Sequence, residues 1–305
     1  MKILIVASGN SGRISPFVQE QVNSLKNLGI SFDYFLIKGK GIIGYLKNFH
    51  VLYQTISNNS YDLLHAHYGL SGLLAITQFK IPVLITFHGS DINLKKNYIF
   101  SRLAANLSKD NIFVHPKLPK KLKIYSRKIN IIPCGVNTNT FRPFSKNASK
   151  ELLGLDKNTR YILFSSAFDN PIKNAPLAIK ATKRFKKTNL IELKNYTKKE
   201  VCLLMNAADL LLITSFSETG PIVAKEAIAC NCPIISTDVG DVKTLIHNIR
   251  NCFITNFDHV DICQKINLIF ESDERSDGSE SMQRFSLGKI AKKVSKVYST
   301  AVQKH

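Results

Sequence analysis

Nowhere in the 305 residues is there an uncharged apolar run approaching the roughly 18 to 20 residues that a membrane-crossing helix needs. The opening MKILIVASGN turns polar too early for a secretory signal, so the sequence reads as cytoplasmic. CxxC spacing is missing too. The six cysteines, Cys134, Cys202, Cys230, Cys232, Cys252 and Cys263, suggest neither a zinc site nor a disulfide framework; several stand in apolar stretches, where cysteine behaves as a small buried hydrophobe. No repeat of about 20 to 50 residues is present, which argues against solenoids and propellers.

Acidic residues are scarce. The chain holds 22 Asp plus Glu against 42 Lys plus Arg, a net charge of +20, and such an excess points to an anionic partner or surface. The excess is uneven: residues 1–145 carry 18 basic and 5 acidic side chains (+13), residues 146–305 carry 24 and 17 (+7). The densest cluster is Lys117, Lys120, Lys121, Lys123, Arg127 and Lys128, around Pro116 and Pro119. No helix-turn-helix signature, zinc-finger spacing or aromatic-basic RNP pattern accompanies the charge, so nucleic acid is not the expected partner. Two readings of the cluster stay open: a solvated basic face, or attraction to acidic lipid headgroups on the inner face of the cell membrane.

What is present is ordinary globular material, 44% hydrophobic and 21% charged, long enough for two domains. KILIVAS at 2–8 is a short apolar run closed by Gly9, Asn10, Ser11 and Gly12, and FVQEQVNSLKNLG follows with helical spacing. Strand-like SFDYFLI, a helical stretch at 45–57, strand DLLHAH at 62–67, a helix from Ser71 and strand PVLITFHG from Pro82 continue the alternation. Weaker strands at 111–115 and 130–132 complete a first sheet. The turn-rich PCGVNTNTFRP then ends at Pro143, where the domain boundary is placed.

After it the pattern restarts. Strands begin at Tyr161 and Asn189, DLLLITS at 209–215 is a buried strand, CPIISTDV and NCFIT are two more, and helices lie at 175–187, 198–208, 221–229 and 241–247. ESDERSDGSES reads as an exposed loop, and 285–298 as an amphipathic helix. Strands apolar on both faces that alternate with helices make parallel sheets covered on both sides. The expectation is therefore an α/β chain of two Rossmann-like domains, 1–143 and 144–285, facing across a cleft, with the C-terminal helix at 286–305 packing near or back onto the first domain. Ligands of such folds sit beyond the carboxyl ends of the strands.

The sharpest signal is SFSETGPIVAKEAIACNCPIIST. Glu218 follows a buried strand, Gly220 and Pro221 open a helix, and Glu226 lies one to two turns along it. Backbone N–H groups from Thr219 to Ile222 at a helix N-terminus can hold a phosphate, and Glu226 can accept hydrogen bonds from vicinal ribose hydroxyls. The plain alternative makes Glu218 a helix cap and Glu226 an exposed helical residue. Ala224, Ala227 and Ile228 around Glu226 argue against exposure, because a carboxylate among apolar side chains is costly unless paired.

Glu218 and Glu226, with TGPIVAK between them, resemble the Glu-x7-Glu motif of the family-four retaining glycosyltransferases of the two-domain GT-B kind. The Gly9–Gly12 loop, DLLHAHYGLSG, TFHGSDI, IPCGVNTNTF, NAADLLLITS and ACNCPIISTDVGDV extend the resemblance over nearly the whole chain. It implies a hexosyltransferase that takes a nucleotide-sugar donor mainly on the second domain and a polysaccharide or lipid-linked glycan acceptor mainly on the first, with retention and without a metal or other cofactor. It makes Glu218 the residue that binds donor-sugar hydroxyls and supports oxocarbenium charge, and Glu226 the ribose contact. Lys173 in PIKNAPLA then neutralises the diphosphate, and His88 stands near the donor sugar. Asp91 is assigned to the same cleft, and the Gly12 backbone to close approach of donor or acceptor. Peripheral attachment to the inner membrane face fits the basic first half.

One departure stands out: no arginine precedes Lys173 in SSAFDNPIK, where the resemblance leads one to expect a partner for the lysine. A non-catalytic nucleotide-sugar or glycan binder is the competing reading. Metal-dependent hydrolysis, suggested by His65, His67 and His88, is disfavoured because Gly69 stands where the HxHxDH pattern needs aspartate.

Overall fold

The computed structural model describes residues 1–124 and 129–303; Arg127 and Lys128 of the basic cluster lie outside them. The chain forms two compact units, Met1–Gly135 with Leu287–His305, and Val136–Ser286.

In the first unit β1 (Lys2–Ser8), α1 (Pro16–Lys26), β2 (Ser31–Ile37), α2 (Gly41–Leu46), α3 (Phe49–Ser57), β3 (Leu63–His67) and α4 (Gly69–Ala75) are followed by β4 (Val83–Phe87), α5 (Ser90–Asn93), α6 (Lys95–Leu107), β5 (Asp110–Phe113), α7 (Lys117–Leu122) and β6 (Asn130–Ile131). All six strands are parallel, in the order β2-β1-β3-β4-β5-β6. Ile3 to Val6 are fully buried because both faces of the sheet are covered. Leu4, Val6, Leu64, Ile85 and Phe113 pack with Leu52, Leu74 and Ala104 of α3, α4 and α6. Ile3, Ile5, Leu63 and Leu84 pack on the other side with Val18, Val22 and Leu25 of α1.

The second unit runs α8 (Lys146–Leu152), β7 (Arg160–Phe164), α9 (Ala175–Thr182), β8 (Thr188–Glu192), α10 (Lys198–Ala207), β9 (Leu210–Ile213), α11 (Ile222–Ala229), β10 (Ile234–Thr237), α12 (Val242–Leu245), β11 (Cys252–Thr255) and α13 (His259–Ser272). Its five strands are also parallel, ordered β11-β10-β9-β7-β8. Finally α14 (Leu287–Gln303) returns to the first unit, where Ile290, Ala291, Val294, Tyr298 and Ala301 cover the α1 face of the sheet. Its apolar residues recur at helical spacing, so one stripe is buried and the opposite face stays wet.

Three features differ from the sequence expectation. The second unit begins at Val136 rather than after Pro143: the Val136 N–H donates to Phe285 O (3.0 Å) and Phe141 is buried in the second core. The helix α13 was not anticipated, although Ile262, Cys263, Ile266 and Ile269 are buried at helical spacing. The stretch at 271–281 is no free loop. Arg275 donates to the carbonyls of Ala208 (2.5 Å), Met205 (2.7 Å) and Cys230 (3.1 Å), and a Cβ on Gly278 would come within 2.6 Å of Ile228 and Ile249.

The tie between α14 and the sheet is polar at one point. Tyr298 Oη lies 2.7 Å from His65 Nδ1, and His65 Nε2 lies 2.7 Å from Thr86 Oγ1, all three residues buried. Removing one partner of a buried hydrogen bond leaves the other desolvated. Tyr298→Phe is therefore expected to cost about 1–3 kcal/mol of stability, measured as a lower urea midpoint with unchanged slope; an unaltered midpoint would remove this tie from the account.

Candidate functional site

In the second unit the chain passes from β7 outward to β8 and comes back to β9 on the other flank of β7, so the strand order reverses between β7 and β9. The carboxyl ends of two strands at such a reversal are the usual ligand position in open parallel sheets. Lys173 comes from the first end. It closes a 3-10 turn, Pro171–Lys173, whose start is capped by the Asn170 side chain accepting from the Ile172 N–H (3.2 Å). Glu218 comes from the second. Leu210–Ile213 are wholly buried, and the chain leaves the sheet through Thr214, whose hydroxyl lies 2.9 Å from both Lys173 O and Asn174 O. Phe216 N–H donates to Ile172 O (2.9 Å), a second strap between the two loops.

These straps bring the side chains together. Lys173 Nζ and Glu218 Oε1 form an ion pair at 2.5 Å, and Ser215 Oγ donates to the same oxygen at 2.8 Å. Both side chains are largely buried, 18% and 13% exposed, so the pair is much less screened than a surface pair. Glu218 is thus not the cap of α11; Pro221 occupies that position without a side-chain cap bond. Having no N–H, Pro221 also leaves Thr219, Gly220 and Ile222 as the only donors of the expected phosphate-holding set.

Glu226 lies in the second turn of α11, 6% exposed, and is ion-paired with Lys198 from the first turn of α10. The Thr197–Glu200 capping box fixes where α10 starts and hence where Lys198 stands. The Glu218 loop is backed by Gly240, at φ +59, where a Cβ would meet Thr219 O at 2.9 Å. Asp241 beside it has one buried carboxylate oxygen with no hydrogen-bond partner among the described residues, and the other 4.0 Å from buried Lys225 Nζ.

Gly12, His88 and Asp91 belong to the first unit. Gly12 adopts φ +75 after β1 and has no neighbour within 4 Å of an added Cβ, so the glycine is required by backbone conformation and not by crowding from the chain. His88 follows β4 and is enclosed by aromatic rings: Phe17 at 4.8 Å, Tyr68 at 4.6 Å and His67, stacked at 5.3 Å. His88 Nε2 is 3.0 Å from His67 Nδ1, while His67 Nε2 is buried without a partner among the described residues. Asp91 is buried, and both its oxygens accept backbone N–H groups, of Gly89 (2.8 Å) and Gly69 (3.1 Å). Its carboxylate therefore fixes the loops carrying His88 and Tyr68.

Sequence reasoning missed Lys198, Ser215 and the coupling of His67 to His88. A cation for Glu226 was demanded by its apolar surroundings, but nothing in the sequence says which of 42 basic residues supplies it. Among the described residues no group of three or more His, Cys, Asp or Glu side chains is arranged to hold a metal ion.

Two family models match the chain: Glycosyltransferase Family 4 over residues 5–140 and Glycosyl transferases group 1 over residues 188–286. The chain belongs to the group 1, family 4 type of glycosyltransferase. It is 28% identical to an uncharacterised glycosyltransferase of Methanocaldococcus jannaschii, over 90% of this chain and 86% of that one. A putative teichuronic acid biosynthesis glycosyltransferase of Bacillus subtilis is 25% identical over 79% of this chain and 71% of its own. Among solved structures, sucrose-phosphate synthase of Thermosynechococcus elongatus superposes with a TM-score of 0.87 at 16% identity, covering 100% of this chain and 99% of that one. Anabaena HepE in complex with UDP gives 0.78 at 16% identity, with 98% and 100% covered. These likenesses establish the GT-B fold for this glycosyltransferase.

Burial sets the charge state of its first unit. Burial pushes the His67 pKa down to about 3 and those of His65 and His88 well below the usual imidazole range, while burial raises Asp91 to about 6. A depressed histidine stabilises the folded state above its unfolded pKa of about 6.5 and loses that contribution as pH falls. Asp91 acts in the opposite sense: its burial penalty is present above pH 6 and is relieved as pH falls through 6 toward its unfolded value. Three histidines outweigh one aspartate. Unfolding free energy should drop between pH 6.5 and 5 by about 1.4 kcal/mol per pH unit for each histidine, less one such increment for Asp91 below pH 6. Urea titrations at pH 7.5 and 5 test this; equal stability at the two would contradict the buried, neutral histidines.

Proposed function

We propose that this glycosyltransferase moves a hexosyl group from a nucleotide-sugar to a polysaccharide or lipid-linked glycan acceptor at the inner membrane face, with retention and without a metal. The observation that carries the proposal is the Lys173–Glu218 pair at the point of strand reversal. In the free protein Glu218 serves as counter-ion to Lys173. A donor diphosphate is the stronger competitor for that ammonium, so donor entry transfers Lys173 to the phosphates and frees Glu218 for the hydroxyls of the sugar.

The rest follows from charge development. The bond between the anomeric carbon and the diphosphate oxygen breaks, its electron pair leaves with the diphosphate, and positive charge grows on the sugar ring until the acceptor oxygen bonds that carbon on the same face and gives its proton to the departing diphosphate. Lys173 and the N–H groups of Thr219, Gly220 and Ile222 face the growing negative charge, and Glu218 faces the positive one. Glu226, held by Lys198, accepts hydrogen bonds from the ribose. UDP and UDP-glucose complexes of Anabaena HepE support a nucleotide-sugar as donor class. The second unit takes the donor in this reading and the first takes the acceptor, with His88 near the donor sugar.

Release of nucleoside diphosphate from a panel of nucleotide-sugars tests the proposal. Lys173→Ala and Glu218→Ala should each lower kcat by about 10²–10³, the usual consequence of removing one preorganised charge partner. Equal release by wild type and both variants would end it, and so would donor binding by wild type with no release across a broad acceptor panel, which favours a pure binder. Lys198→Ala is expected to raise the donor KM about tenfold with kcat nearly kept, since it loosens a binding contact present before and during reaction. A kcat loss with unaltered KM would place Lys198 elsewhere in the mechanism.

A further inference from the structure

We propose that the exposed side of α6, together with the groove beside its C-terminal end, is the surface on which the first unit seats on an anionic lipid bilayer. α6 packs on α4 through Ser101, Ala104 and Ala105. Its outer side should then be polar, yet Ile99, Leu103 and Leu107 stand there at i, i+4 and i+8, 70%, 46% and 62% exposed. Leu103 and Leu107 also line a groove of about 480 Å³ with Leu73, Ile76 and Phe79, and Phe79 at 92% exposed is the barest large apolar side chain described.

Cations surround this apolar stripe. Residues 63–124 contain nine Lys or Arg and two Asp, and one of those two, Asp91, is buried. Lys95, Lys96 and Arg102 project from α6 itself, and Lys80 adjoins Phe79. The exposed lysines of α7 are drawn alongside by Tyr98 Oη donating to Lys121 O (3.1 Å) and Lys121 Nζ donating to Asn93 Oδ1 (2.7 Å). An apolar strip bordered by positive charge matches the headgroup and acyl boundary of an acidic leaflet, where hydrocarbon lies immediately beneath phosphate. No described helix is long and apolar enough to cross a membrane, so the contact is lateral.

The placement also bears on the acceptor, and there it rests on the transferase reading above. α6 begins seven residues after His88, and Ser101 Oγ donates to Asp91 O at 2.8 Å, so the helix is anchored to the loop that carries His88. A bilayer lying along α6 runs up to that edge of the sheet, which suits an acceptor hydroxyl on a lipid-anchored glycan.

Vesicle flotation without donor or acceptor tests the surface. Wild type should bind phosphatidylcholine vesicles containing about a third phosphatidylglycerol at least about tenfold more tightly than phosphatidylcholine alone. Leu103→Asp with Leu107→Asp should reduce that binding about tenfold or more, and Lys95→Gln, Lys96→Gln and Arg102→Gln together should abolish the preference for the acidic vesicles. All five positions are exposed, and an unchanged thermal midpoint confirms the variants as folded. Equal flotation on both vesicle types, variants that float like wild type, or a wild-type dimer that Leu107→Asp dissociates would each overturn the proposal. Because no sugar is transferred in this experiment, its failure leaves the enzyme reading intact, and an inactive enzyme leaves the membrane surface intact.

Discussion

A carboxylate taken out of water must be given a cation, and in the second unit two carboxylates eight positions apart, Glu218 and Glu226, are each given a different one. The need originates in the sheet. β9 is buried on both faces, so its loop has no freedom to withdraw, and Glu218 emerges beside whatever follows the neighbouring strand β7. That neighbour is the turn at Pro171–Lys173. Glu226 sits instead on a helix whose other residues, Lys225 apart, are apolar, and its cation comes from α10, the helix that leads into β9. The two turns are fixed by the acids as much as by their own sequences. Thr214 straps one of them, the Thr197–Glu200 box starts the other, and Gly240 lets a third loop close over the back of the pair.

Elements whose physics is local were legible in the sequence. Val83–Phe87, Leu210–Ile213 and Ile234–Thr237 are runs of buried residues between breakers, and α14 has its apolar residues at helical spacing, so each could be placed within a few positions. Glu218, Lys173 and Glu226 were legible as a motif, and the structure brings the first two into contact. Lys198 was not, because an ion pair across 28 residues leaves no mark in a chain with so many lysines. Polar composition misled at 271–281: Arg275 and its neighbours look like solvent-exposed residues until the helix-end carbonyls they satisfy are seen. Pro143 misled as a boundary because a turn-rich segment marks a change of direction, whereas the core that a segment joins is decided by Val136 and Phe141.

Charge in the second unit is sorted by the two ends of its sheet. At the amino ends Asp209, 1% exposed in its side chain, accepts from Lys146 (2.7 Å), Arg160 (2.9 Å) and the Tyr161 N–H (2.7 Å). Burial pushes its pKa up, yet the bonds from Lys146 and Arg160 hold it below the usual carboxylate value. A crevice of about 610 Å³ opens there, but Lys146, Lys150, Arg160 and Arg275 in its wall already bind Asp209 or backbone carbonyls, and they secure the fold. The pairs at the carboxyl ends are of another kind. Among the described residues Lys173 Nζ is held by a single carboxylate, and Glu218 by that lysine and one hydroxyl.

The first unit follows a different rule, since its buried histidines are kept neutral. His65, His67 and His88 lie in sequence across the sheet, with ring centroids 4.4 Å apart between the first two and 5.3 Å between the last two. Neutral imidazoles can share one proton per contact, so the bond between His67 Nδ1 and His88 Nε2 allows only one of those atoms to carry hydrogen. The tautomer of His88, the member nearest the surface, is therefore tied to that of His67. His65 in turn is held between Thr86 and Tyr298, and Tyr298 belongs to α14, which the chain adds last after completing the other unit. The covering helix thus does more than shield apolar strands. By holding His65 against His67 it helps fix how the imidazole of His88 at the strand end is presented, and a neutral ring there can give or take a hydrogen bond.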